Sequence, residues 1–579
     1  MQKLKLPLIN FLPLVLIVFS FSCVRQDRES QKDLVVVREM ADASNLNPVF
    51  FSSELDHIIG LQIFQTLIGI DYPTEELVGV LAVSPAEETK DSTGNSVFHY
   101  EIRKEATFDN GRPILAEDVL FSLKLNLLPT YSQVGNLNYY SFIKDFKINP
   151  KNPRKFSIHC RNANKRNRYA SGDFAILPWH LYDSNRLLKN FSLHELLHND
   201  SLAHHKQLKQ FAASFESNNF SMNEKYINGS GPYQLKKWEK GQFILLEKKD
   251  DWWGETLDDP IFFRANMPMI RYEIINDPVS ALTALKGNNV ELMRSIPAKD
   301  FMELSKNPAA QEKLIMKSKP IHAYQYIGFN HSNKFLQSRS LRKAIAHTIP
   351  KQEIIRLVYY DQAEAIYGPF SPLRKFFNPD LVDNLSYDPD KSRQILAENQ
   401  YFDSDNDGLL ETIVENDTLP LRLSYHYNAG NEQRKAVGII LREELKKIGI
   451  ELQVKSLEWS VYLQGLRNGD FELFYGGVVS MPNSYNFIHL LHSSSAFGGR
   501  NYANYQNKKT DMILDQLEKS KQAEAESELI GQLIKQVHQD VPYYFLFTPK
   551  ENLAHSKLLK NVNIYSIRPH YWAPEISKE

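Results

Sequence analysis

The amino terminus limits what the rest of this chain can become. Lys3 and Lys5 precede a mostly apolar run from Leu6 to Phe21 that stops at Ser22-Cys23, which is the layout of a signal peptide. The run is about 16 residues long and is interrupted by Pro7, Asn10 and Pro13, so it is shorter than the ~20 apolar residues that span a bilayer. Residues 1–22 are read as an export signal and set aside from the fold. Cleavage before Cys23 would leave an amino-terminal thiol able to carry lipid, with the small Ser22 suiting the peptidase; Ser20 stands where lipoproteins usually have Leu. The alternative is a plain secretory signal in which Cys23 has no role. Cys160 is then the one cysteine of the mature chain, so no intramolecular disulfide is available. An exported chain of this kind must hold itself together by burial alone.

A chain of 579 residues is several times the usual ~100–150 of one domain, and more than one lobe is expected. Its 42% apolar residues supply the cores. Lys plus Arg number 68 against 69 for Asp plus Glu, so no net field selects nucleic acid or an anionic membrane. Residues 23–32 are polar without apolar periodicity and read as a tether. Structure begins at Leu34-Val-Val-Val37, a β-branched run expected to be a buried strand. Strand-like and amphipathic helical stretches then alternate, which is the pattern of a mixed α/β fold. In Glu432 to Ile448, the positions Val437, Ile440, Leu441, Leu445 and Ile448 fall on one helical face, and Gly449 closes the helix before the strand Ile450 to Val454. Two extended segments, His322 to Asn330 and Pro542 to Pro549, bracket a long stretch; if both cross between lobes, they form a two-stranded hinge.

Four blocks in order carry a family likeness. Ala106 to Lys124 reads Ala-Thr-Phe-Asp-Asn-Gly-Arg-Pro-Ile-Leu-Ala-Glu-Asp-Val-Leu-Phe-Ser-Leu-Lys, an Asn-Gly turn before a helix with acids in its first turn. Asn228 to Gly241 carries Gly-Ser-Gly-Pro-Tyr, and continues through Leu245 to Asp-Asp-Trp-Trp-Gly254. Tyr326-Ile-Gly-Phe-Asn330 leads into Leu341 to Ile349, and Asp388-Pro-Asp-Lys-Ser-Arg-Gln-Ile-Leu396 is the fourth. Together they resemble the extracellular solute-binding proteins of the oligopeptide, dipeptide and nickel type. The resemblance implies an α/β, two-lobed periplasmic-binding-protein-like fold with an extra inserted lobe, giving three lobes and a two-stranded hinge. Lobe I is expected at 33–70, 190–325 and 545–579, the inserted lobe at 71–189 and lobe III at 326–544. It further implies a monomer, lipid-anchored at the periplasmic face of a membrane or at a cell surface. Such a protein captures an oligopeptide or similar extended polar solute by hinge closure, without turnover or cofactor, and hands it to the membrane permease of an ABC importer.

Peptide-binding members grip the ligand amino group with a carboxylate just after a Gly-Trp strand. The matching strand here, Leu473 to Asn486, has Val478 in place of the tryptophan and contains no acid. Gly476, Gly477, Ser480, Asn483, Tyr485 and Asn486 are the expected ligand contacts on that wall, since hydroxyls and amides both donate and accept. Phe51, Ser52 and Ser53 are expected on the opposite wall, and Trp459 either faces the cleft or packs between helix and strand. Two rival motifs stand apart from this reading. His194-Glu-Leu-Leu-His198 has the His-Glu-x-x-His spacing of zinc peptidases, with His204 as a possible third ligand. Asp403-Ser-Asp-Asn-Asp-Gly408 opens like a calcium loop but has Val414 at its twelfth position, and reads as an acidic turn. A fold-retaining surface adhesion or signalling module is the remaining alternative.

The lipid reading predicts that Cys23→Ser yields an uncleaved or soluble form; unchanged processing and unchanged membrane fractionation would contradict it.

Overall fold

In a computed structural model, residues 32–131, 137–161, 165–257, 259–374, 385–482, 487–520 and 522–579 are described. The leader and the first nine residues of the expected tether, Cys23 among them, lie outside them, and no helix among the described residues is long and apolar enough to cross a membrane.

The run at Leu34 forms the strand Leu34–Glu39, which pairs in parallel with both Met269–Ile274 and Leu292–Met293. A strand covered on both faces needs continuous β-branched residues rather than alternation, which is what Val35, Val36 and Val37 supply. Phe243–Lys248 and Tyr233–Glu239 extend this half of the sheet in antiparallel fashion. A second parallel set is centred on Arg422–Asn428, flanked by Glu451–Leu457 and Leu473–Val479. Ala323–Phe329 then pairs antiparallel with Leu473–Val479.

The two sets belong to one twelve-stranded sheet because of the strand Tyr543–Ser556. Its first half pairs with Ala323–Phe329 and Ala363–Ala365. Its second half pairs with Leu314–Pro320 and Leu292–Met293. The chain passes between the halves twice, along this strand and through Pro320 to Ala323.

The hydrophobic cores divide at the same place. One cluster joins Val35, Leu46, Ile59, Ile244 and Ile270 to Phe98, Phe156 and Ile158 of the inserted four-stranded sheet (Glu87–Lys90, Ser96–Glu101, Lys155–Cys160 and Ile143–Ile148) and to Leu123 of the helix Ala116–Asn126. The inserted part therefore shares its core with the first half. The other half has separate cores on its two faces, one around Leu341, Leu423, Tyr425, Val437, Leu441 and Leu445, the other around Tyr326, Phe474, Leu514 and Leu533. The helix Glu432–Lys446 contributes the expected stripe to the first of these, and Gly449 has the left-handed φ of +76° that ends it.

Lys351 opens the helix Lys351–Tyr359 and is buried; its ammonium donates to the Ile366 carbonyl at 2.6 Å and lies 4.3 Å and 4.7 Å from the Tyr367 and Tyr544 ring centroids. Burial lowers its pKa from 10.5 to about 7. Between those values the unfolded chain binds more protons than the fold, so stability rises with pH across that window. Relative to Lys351→Met, the wild type should gain about 2 kcal/mol from pH 7 to 9, read by denaturant unfolding; identical pH profiles would contradict this.

Candidate ligand-binding site

Parallel strands in open sheets leave a crevice beyond their carboxyl ends, and both expected walls begin there. On the first half, the segment from Ser44 to Ser53 is gathered around one carboxylate. Asp56 is fully buried and accepts from Ser44 N and Oγ at 2.8 Å and 2.6 Å, and from Ser52 N and Ser53 N at 2.9 Å each. Ser53 Oγ accepts from Asp56 N in return, completing a capping box at the start of the helix Glu54–Ile63. Burial opposes the charge, but these hydrogen bonds outweigh it and hold the Asp56 carboxyl below its usual range. Ser52 is exposed, with its hydroxyl 2.8 Å from Ser44 Oγ, while Phe51 lies across Gly60 and against the His57 ring at 5.3 Å. Directly behind, Arg294, 7% exposed, bridges Glu39 at 3.0 Å and Glu54 at 2.9 Å, tying the strand ends to the helix that bears the wall.

On the second half, Gly476 and Gly477 sit opposite Tyr326 and Gln325 in register. A Cβ at Gly476 would come within 2.2 Å of the Tyr326 ring, and one at Gly477 within 2.4 Å of Gln325 Oε1, so both glycines make room for cross-strand side chains. Gly477 is exposed and Gly476 buried. Ser480 is buried at the crossing, where its amide and hydroxyl donate to the His322 carbonyl at 2.7 Å and 3.3 Å. Trp459 opens the helix Trp459–Asn468 and is 53% exposed, so it does not pack between helix and strand. Asn483, Tyr485 and Asn486 lie outside the described residues.

One residue of this wall escapes the sequence reading. Arg434, in the first turn of Glu432–Lys446, is half-buried; it donates to Asn428 Oδ1 at 2.6 Å and lies 4.8 Å from the Tyr475 ring centroid. Among the described residues no carboxylate lies within 4.0 Å of it. Alternation along the strand puts Tyr475 and Gly477 on one face of the sheet, so Arg434 stands over the same face as the exposed glycine. A cation in a helix's first turn runs against the macrodipole, and that misfit is the signal in the sequence that points to it.

The rival motifs resolve locally. His194, Glu195 and His198 are exposed on the short helix Leu193–His198. Glu195 accepts from both Ser192 N and Ser192 Oγ at 2.7 Å and serves as a cap, while His198 Nε2 is 2.7 Å from Arg161 Nη2. His204 is exposed in the next turn, and these histidines are not among the described groups whose ligand atoms converge. The carboxylates that do converge are Asp403, Asp405, Asp407 and Glu411, within 4.8 Å of one another; Asp403 accepts from Gly408 N and Glu411 from Ser404 N, the bonds of an acidic turn. Two of the sequence blocks meet each other. Lys249 donates to Asp109 at 2.6 Å and to the Gly229 carbonyl, and the indoles of Trp252 and Trp253 both donate to the Ser230 carbonyl.

Comparison with known proteins agrees with this architecture. The model of bacterial extracellular solute-binding proteins, family 5 Middle, matches residues 76–499. The oligopeptide-binding protein AppA of Bacillus subtilis is 26% identical over 503 residues, 86% of this chain and 83% of that protein. Its structure with a nonapeptide aligns with a TM-score of 0.68 at 23% identity, covering 94% of this chain and 99% of that one. NikZ of Campylobacter jejuni in complex with Ni(L-His) also aligns with a TM-score of 0.68, at 21% identity, covering 94% and 100%.

Removing Asp56 would leave the Ser44, Ser52 and Ser53 amides without their shared acceptor. Asp56→Ala should therefore lower unfolding stability by about 3 kcal/mol; a loss below about 1 kcal/mol would show that the Ser44 to Ser53 wall does not depend on this carboxylate.

Proposed function

The chain belongs to the bacterial extracellular solute-binding proteins of family 5, and on that premise we propose that it captures an oligopeptide or similarly extended polar solute between its two halves. Capture involves no turnover, and the ligand passes to the membrane permease of an ABC importer, with the protein held as a lipid-anchored monomer at the outer face of a membrane. Bending occurs at the two crossings, Pro320 to Ala323 and Pro549 to Lys550. The walls that meet the ligand are Phe51, Ser52 and Ser53 on one side and Trp459, Gly477 and Arg434 on the other.

The observation that carries the ligand class is Arg434. A guanidinium held by one amide and one ring has donors left over, and its planar fork suits a carboxylate or a row of peptide carbonyls. An extended peptide supplies both, with its backbone paired in strand fashion.

The test is titration calorimetry of tetra-alanine and its carboxyl-terminal amide against the mature protein, with mass spectrometry of the peptide afterwards. Arg434→Gln should weaken binding of the free acid by about 10–100-fold, the worth of a charged hydrogen bond, and that of the amide far less. The peptide should be recovered intact. Cleavage, or equal loss for both peptides, would contradict the reading.

A further inference from the structure

His322 stands in the crossing from Pro320 to Ala323 and is held from three directions. Its amide donates to the Ser566 carbonyl of the first half at 3.0 Å, and its carbonyl accepts from Ser480 N and Ser480 Oγ of the second half at 2.7 Å and 3.3 Å. Its imidazole is buried, with Nε2 2.8 Å from a carboxylate oxygen of Glu75 in the inserted part. Among the described residues Nδ1 has no partner, so this contact is the ring's polar anchor. Glu75 lies in the turn between the short strands Ile68–Ile70 and Leu77–Gly79, which pair antiparallel. Asp71 fixes that turn: it is buried, its carboxylate accepts from Thr74 Oγ1 at 2.8 Å and from Ile261 N at 3.1 Å, and its carbonyl accepts from Glu75 N at 2.8 Å. Glu75 has a left-handed φ of +59°, a conformation that glycine adopts without strain and glutamate does not. The turn keeps a carboxylate where glycine is the easier choice, and that carboxylate reaches the crossing.

We propose that the contact between Glu75 and His322 is a latch by which the inserted part holds the crevice open. Ser52, Gly477 and Trp459, on the two walls, all face solvent, so the arrangement in which the contact is made is the open one. His322 is tied to the first half through Ser566 and Glu75 and to the second through Ser480. Rotation of one half against the other about this residue pulls on both sets of bonds. The contact with Glu75 is made by two side chains, which part by turning to other rotamers while the backbone bonds at the crossing persist. Closure then costs that contact, and the fraction of molecules able to close, and with it the apparent affinity, follows from its strength. The proposal rests on the reading of capture by closure and gives the inserted part a role in it.

Calorimetry of tetra-alanine against the mature protein reads the latch. Glu75→Ala, which keeps a Cβ at the same φ, should tighten binding about tenfold, the worth of one charged hydrogen bond. Glu75→Gln, which retains an acceptor for the imidazole, should tighten it less and covers the case where Glu75→Ala does not fold. Loss of a merely structural contact weakens binding, so a gain in affinity separates a latch from a brace. Affinity unchanged or weakened in both variants overturns the latch and leaves the peptide reading standing. If tetra-alanine binds neither the wild type nor the variants, the peptide reading falls and the ligand-free molecules decide the latch. Dyes placed by Lys306→Cys and Lys446→Cys, exposed positions on the first and second halves, then report closure by single-molecule energy transfer. A larger closed fraction in Glu75→Ala than in the wild type supports the latch, and identical distributions overturn it.

Discussion

The strand Tyr543–Ser556 is the constraint on which the molecule depends, because it is a central member of both halves of the sheet at once. Neither half can complete its backbone hydrogen bonding without it. The change of partners falls at Pro549 and Lys550, beside Pro320 on the neighbouring strand. Proline has no amide to donate, so the ladder is thinnest where the two bodies join, and bending there disturbs fewer hydrogen bonds than bending elsewhere. The separate cores carry the same message. Burial holds each body together; the inserted sheet shares one cluster with the first, and the second has clusters of its own.

Elements whose own pattern decides their structure were readable from the chain. The stripe of Val437, Leu441 and Leu445 and the stop at Gly449 fix one helix, and the β-branched run at Leu34 fixes a doubly covered strand. The second half of the long strand was not readable. Lys550 to Ser556 is polar and lacks alternation, and it becomes a strand only because Leu314–Pro320 and Leu292–Met293 flank it. Trp459 likewise could not be assigned, since nothing in its neighbourhood of sequence says whether the residues that might cover it come near.

The site was legible in outline and not in its charges. The segment around Phe51 to Ser53 could be singled out, but not the reason for its rigidity, because Asp56 gathers donors from both ends of a loop. Arg434 could have been suspected from its place in a helix's first turn. The reverse lesson comes from His194 to His198. The spacing of a zinc site was plain, but so was Ser192 three residues before Glu195, and the capping box it forms takes the carboxylate that catalysis would need.

The two halves, each with its own core, are joined at a thin crossing. The most direct measurement is small-angle X-ray scattering of the mature protein with and without a saturating peptide ligand. Closure about the two crossings predicts a smaller radius of gyration and a shorter maximum dimension when the ligand is bound. Superimposable profiles at a ligand concentration shown by calorimetry to saturate the site would contradict it.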